Sequence, residues 1–131
     1  MLTPNQFEVN EAWIFFRLND VPIHTEQDGD FNFFALMDVA SYFILGSAPL
    51  SAKAAELTQA EASQLLEQGR AHKQQLPKTL FIPANQPAEI LSQEAERKGI
   101  TVVRVAEDQL LVFTSEAREG FKEHFSRSGE H

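Results

Sequence analysis

Thr79–Val105, TLFIPANQPAEILSQEAERKGITVVRV, decides the fold. Its opening residues, Thr79–Ile82, form a short apolar strand closed by Pro83. Asn85 or Gln86 then caps a helix with Pro87 at its first position and Glu89 in its first turn. Arg97 and Lys98 stand in the last turn, with Gly99 just past the end. Ala88, Leu91 and Ala95 are its buried stripe. Ile100–Val105 (ITVVRV) is a β-branched strand. A strand, a helix and a strand in this spacing require parallel pairing through a right-handed crossover.

The same grammar extends in both directions. Thr58-Gln59-Ala60-Glu61 has the form of a capping box, and Ala62, Leu65, Leu66 and Gly69 follow at helical spacing. Arg70, His72 and Lys73 suit the end of that helix, which Leu76-Pro77 stops. Downstream, Asp108 caps a last helix running to about Phe125, with Leu110, Phe113, Ala117, Phe121 and Phe125 along one face and Thr114-Ser115 as a break point. Upstream lie three strands. They are Ala12–Leu18 (AWIFFRL), Phe31–Asp38 (FNFFALMD) and Tyr42–Ser47 (YFILGS), the last two joined as a hairpin across Val39–Ser41. Pro22 keeps Val21–His24 at an edge or in a loop, Glu26–Asp30 is a turn, and Ala48–Leu57 is a connection with a helical turn at Ala52–Glu56. The order β-β-β-α-β-α-β-α predicts an α/β fold with a mixed five-stranded sheet. In it an antiparallel three-strand meander is followed by two parallel strands, with helices on the faces. Residues 1–125 read as a single domain and 126–131 as a flexible tail.

The 131 residues include no cysteine, which excludes disulfides, thiolate zinc sites, iron–sulfur clusters and cysteine nucleophiles. No apolar run approaches the roughly 18 residues of a membrane span, and the first eleven residues lack a signal peptide's basic and apolar regions, so a cytoplasmic location is expected. Net charge is −8, and residues 1–50 carry seven acids against one base, Arg17. Such a surface repels a polyanion, so nucleic acid is not an expected partner.

The phrase Phe34-Ala35-Leu36-Met37-Asp38-Val39-Ala40-Ser41-Tyr42-Phe43-Ile44-Leu45-Gly46 puts an aspartate near the end of a strand, then a tight turn, then an apolar strand ending in glycine. With the element order, it resembles the ribonuclease H-like superfamily of retroviral integrases, transposases and Holliday-junction resolvases. The resemblance implies phosphoryl transfer by two Mg²⁺ ions about 3.5–4 Å apart, held by acids on the first strand, after the fourth strand and on the last helix. It places Asp38 at the first position and Glu116 at the last, with Glu119 and Glu123 also available. At the second position the chain reads Pro83-Ala84-Asn85-Gln86-Pro87, without an acid. Taking Ala12–Leu18 as the first strand, with Asp20 as its acid, does not supply one. The expectation is therefore a non-catalytic interaction or assembly module on this scaffold, with no cofactor. The alternative is a divalent-metal-dependent nuclease or transposase-type enzyme using Asp38, Glu116 and Mg²⁺.

Other patterns are weaker. Glu26, Asp28 and Asp30 lack the remaining ligands of a calcium loop, and His24, His72, His124 and His131 show no ligand spacing. Eleven phenylalanines are many for this length. Neighbours on a strand face opposite ways, so pairs such as Phe15-Phe16 and Phe33-Phe34 need both sheet faces covered. Where only one is, Trp13, Phe15, Phe31 and Phe33 form an interaction surface for a protein partner or a second copy. No pattern specifies a small-molecule ligand.

Overall fold

The strand–helix–strand unit builds one half of a six-stranded mixed sheet. The computed structural model describes residues 2–19, 22–27 and 29–128. Its strands are β1 (Ala12–Arg17), β2 (Ile23–Thr25), β3 (Gly29–Asp38), β4 (Ile44–Ser51), β5 (Thr79–Pro83) and β6 (Thr101–Val105). Its helices are α1 (Gln59–Lys73), α2 (Glu89–Arg97) and α3 (Glu107–Ser128). β1 lies at the centre, antiparallel to β3 and parallel to β5, and β6 extends the parallel half. Phe31 pairs with Ile23 on one side and Ser51 on the other, so the short β2 shares a side of β3 with β1 while β4 takes the opposite side.

Both faces of the sheet are covered. Trp13 and Phe15 of β1 join Leu36, Leu80 and Ile82 under α1 and α2, whereas Ile14 and Phe16 join Ala35, Phe81 and Val105 under α3. Strand alternation sorts the aromatic surplus into two cores, each worth about 25 cal/mol per Å² of apolar area removed from water. Gly69 is required here, because a β-carbon at that position would come within 2.8 Å of the Trp13 ring.

Several boundaries differ from the sequence reading, each for a physical reason. The sheet has a sixth strand because Ile23–Thr25 finds partners on the amino end of β3. β4 begins later and ends later than expected: Tyr42 has a left-handed φ of 62°, and the long β3 offers partners out to Ser51. Pro49 is tolerated because, within the described sheet, β4 pairs only with β3. The turn at Ala52–Glu56 is not helical. α2 starts at Glu89, not Pro87, and the Glu56 carboxylate accepts from the Ile90 N–H at 2.6 Å instead of an Asn85 or Gln86 cap. α3 begins at Glu107 and runs unbroken through Thr114-Ser115 to Ser128, because Thr114 packs inward beside Phe113. The capping box on α1 forms as read, and Ala62, Leu65, Leu66 and Gly69 are its buried stripe. Asp20, Val21, Asp28, residues 129–131 and the side chains of His124 and Phe125 lie outside the described residues.

Candidate functional site

Asp38 ends β3 opposite Trp13, at the start of β1. Its side chain is fully buried and its oxygens are engaged. Oδ1 accepts from the Asn10 N–H at 2.7 Å, and Oδ2 accepts from the Ser41 N–H at 3.0 Å and the Ser41 hydroxyl at 2.6 Å. Asn10, itself at φ 67°, accepts from the Trp13 indole at 2.7 Å and donates to the Gln75 carbonyl. Three donors can hold a carboxylate in the interior without a cation. Asp38 thus fastens the β3–β4 turn and the entry to β1 to one another.

The opposite end of β1 is organised differently. Arg17 pairs with Phe34, about 13 Å along the strand from Trp13 and Asp38. Here the carboxyl ends of the parallel strands meet, and the chain leaves β1 and β5 in different directions; in open α/β sheets such a crevice is where ligands bind. A cavity of about 170 Å³ lies there, with Arg17, Asn32, Asn85, Gln86, Glu107 and Arg118 in its wall. Arg118 donates from Nε to the Arg17 carbonyl at 2.9 Å and from Nη2 to Glu107 Oε1 at 3.0 Å, and its guanidinium lies over the Phe16 ring. Asn85 Nδ2 donates to Glu107 Oε2 at 3.2 Å. The Asn85 hydrogen bond, followed by the hydrogen bond and charge of Arg118 and the charge of Arg17, holds the Glu107 carboxyl below its ordinary value of 4.5 against a partial burial that raises it. Arg104 pins the loop after β5 by donating to the carbonyls of Pro83, Ala84 and Gln86.

A divalent pair fits neither end. Asp38 has its oxygens committed to the turn, and the carboxylate in the cleft wall, Glu107, is shared between an arginine and an amide with a second arginine nearby. Among the described residues no three histidine, aspartate or glutamate side chains gather as a metal group. Glu116 is exposed and, about two and a half turns past Glu107, sits on the opposite side of α3. β1 reads AWIFFR and carries no acid. Asp30 pairs with His24 at the exposed β2–β3 hairpin.

The expected aromatic surface is also corrected. Trp13 and Phe15 are 0% and 2% exposed because α1 and α2 cover them. Phe31 and Phe33 are half-buried, and Phe33 packs against Phe121 of α3. Among the described residues the exposed large apolar side chains are instead Val9 before β1, Tyr42, Phe43 and Ile44 after β3, and Leu111 and Val112 on α3. The patch after β3 and the patch on α3 are joined by the Tyr42 hydroxyl donating to the Val112 carbonyl at 3.3 Å. Sequence reading missed Arg17, Glu107 and Arg118 because Arg17 and Arg118 stand 101 residues apart. The available signal was the lone base in an acidic half, matched with the acid at the start of the last helix.

No family model matches the chain, and no curated protein does. Its fold is that of the ribonuclease H-like catalytic cores of retroviral integrases. A chain of the simian T-cell lymphotropic virus intasome, solved in complex with PP2A regulatory subunit B56 gamma, superposes with a TM-score of 0.61 at 14% identity. The match covers 93% of this chain but 43% of that one. The BIV integrase catalytic core gives 0.59 at 12% identity, covering 93% and 74%. The HTLV-2 integrase catalytic core, a dimeric form in complex with magnesium, gives 0.52 at 11% identity, covering 83% and 82%. Among the described residues no helix is long and apolar enough to cross a membrane.

Proposed function

We infer that this chain is a non-catalytic interaction module, one α/β domain over residues 1–125 acting in the cytoplasm, that associates with a second copy of itself. The observation that carries this reading is the make-up of the cleft. Where metal-dependent phosphoryl transfer needs acids to converge, Glu107 is held between Arg118 and Asn85, with the Arg17 charge beside it. Two guanidinium groups at this point oppose the accumulation of cations. The nuclease alternative would require Asp38 to surrender three hydrogen bonds and reach Glu116 on the exposed side of α3.

Self-association is supported by the exposed apolar group at Tyr42, Phe43, Ile44, Leu111 and Val112. The dimeric form of the HTLV-2 integrase core is a parallel on the same fold. Light scattering across a concentration series tests it: the chain should reach the mass of a dimer, and Val112→Glu should return it to a monomer. A monomer at high micromolar concentration would overturn the dimer. Calorimetry with Mg²⁺ and with Mn²⁺ should give no site binding and no cleavage of a DNA duplex should follow; saturable binding coupled to cleavage would restore the enzyme.

A further inference from the structure

The exposed apolar patch formed by Tyr42, Phe43, Ile44, Leu111 and Val112 carries opposite charge on its two sides. On the side of β4 and α1, the His72 ring stands edge-on to the Phe43 ring at 5.4 Å, and the Lys73 ammonium lies 5.3 Å from the Phe43 centroid. On the side of α3, Asp108 and Glu116 stand four residues before and after Val112, so the three share one face of the helix, and all three are exposed. The Tyr42 hydroxyl, bonded to the Val112 carbonyl at 3.3 Å, ties the two sides together. Arg70, Arg97, Lys98 and Arg118 each have a carboxylate partner. Among the described residues Lys73, Asp108 and Glu116 have no ion pair.

We propose that this patch docks on a second copy of itself across a two-fold axis, turned end for end, so that Lys73 of each copy meets the α3 acids Asp108 and Glu116 of the other. The proposal rests on the reading of the chain as self-associating and adds the arrangement. Its ground is symmetry. A two-fold interface brings the same surface from both copies together. A patch of one sign would then set like charges against each other, whereas a patch positive on one side and negative on the other complements itself. The same rotation lays Phe43 and Ile44 of one copy against Leu111 and Val112 of the other, so the apolar and charged parts are matched at once. An unrelated partner would need both signs in the reverse order, which a second copy supplies by construction. Local opposite charge also counters the long-range repulsion between two chains of net charge −8.

Sedimentation equilibrium of the full chain tests the arrangement, with Lys73→Glu, Glu116→Lys and Asp108→Lys studied alone and in mixtures. Each reversal puts two like-charge contacts into a homodimer and should weaken self-association about tenfold or more. Lys73→Glu mixed with an acid reversal regains opposite charge at both contacts. With Glu116→Lys, with Asp108→Lys or with both, it should form heterodimers about as tight as the wild-type dimer. Both chains must be folded to do so, so a folding defect cannot imitate this recovery. Raising NaCl should weaken the wild-type dimer, a check that needs no substitution. Dimers unaffected by Lys73→Glu, no recovery in either mixture, or a wild-type dimer that tightens with salt would each overturn the end-for-end arrangement and leave self-association standing. A wild-type chain that stays monomeric at high micromolar concentration would overturn both.

Discussion

The two ends of β1 each hold a polar cluster, and the difference between them governs what the protein can do. At the amino end, Asp38 is fully buried and bound by Asn10 and Ser41, so its charge serves the fold. At the carboxyl end, Arg17, Glu107 and Arg118 line a cavity, with Asn85 and Gln86 facing the same space. A buried acid next to a turn looks chemical in a sequence but is satisfied by its neighbours. The end that looks unremarkable, one arginine closing an apolar strand, is the end that lines a cavity.

That contrast can be broken most directly at Asp38. Asp38→Ala leaves the Asn10 N–H and both Ser41 donors without their acceptor, and should cost about 3 kcal/mol or more in urea unfolding. A loss below ~1 kcal/mol would mean the cluster does not hold the turn. Gly69→Ala tests the same end through packing. Its β-carbon would lie 2.7–2.8 Å from the Trp13 ring, a clash costing about 1–3 kcal/mol, which exceeds the roughly 1 kcal/mol that alanine gains in helix propensity. The thermal midpoint should fall; a rise would show that Trp13 can move.

At the carboxyl end the stability effects should be smaller. Arg118→Met keeps an apolar stem but loses the guanidinium over Phe16 and its bonds to Glu107 and the Arg17 carbonyl, for about 1 kcal/mol by denaturation. The smallest effect is pH-dependent. Because folding lowers the Glu107 carboxyl below 4.5, its contribution is present above that pH and is lost as pH falls through the lowered value. Glu107→Gln should therefore shrink the gap to wild type in that acid window. A gap that widens on acidification would reverse the sign of the assigned interaction.

Legibility followed sequence distance. The capping box at Thr58–Glu61 and the stripe from Ala62 to Gly69 are local, and both were readable. The cap of α2 was not, because the Ile90 N–H finds its acceptor on Glu56, 34 residues away. The paired aromatics on β1 and β3 implied two covered faces, and the remaining question, whether helices cover both, is settled by α3 packing beneath Ile14 and Phe16. Asp38 was legible as an unusual acid but not as a turn fastener, since one of its three donors is the N–H of Asn10, 28 residues away. The cleft joins residues from β1, the loop after β5 and α3, and no spacing rule connects these.

Neither end of β1 is expected to gather a divalent cation. Paramagnetic line broadening by Mn²⁺, read on backbone amides of the labelled chain, tests it most directly. No localised broadening should occur around Asn85, Glu107 and Arg118 or around Asn10, Asp38 and Ser41. Saturable broadening centred on either group, and removed by Mg²⁺ competition, would contradict it.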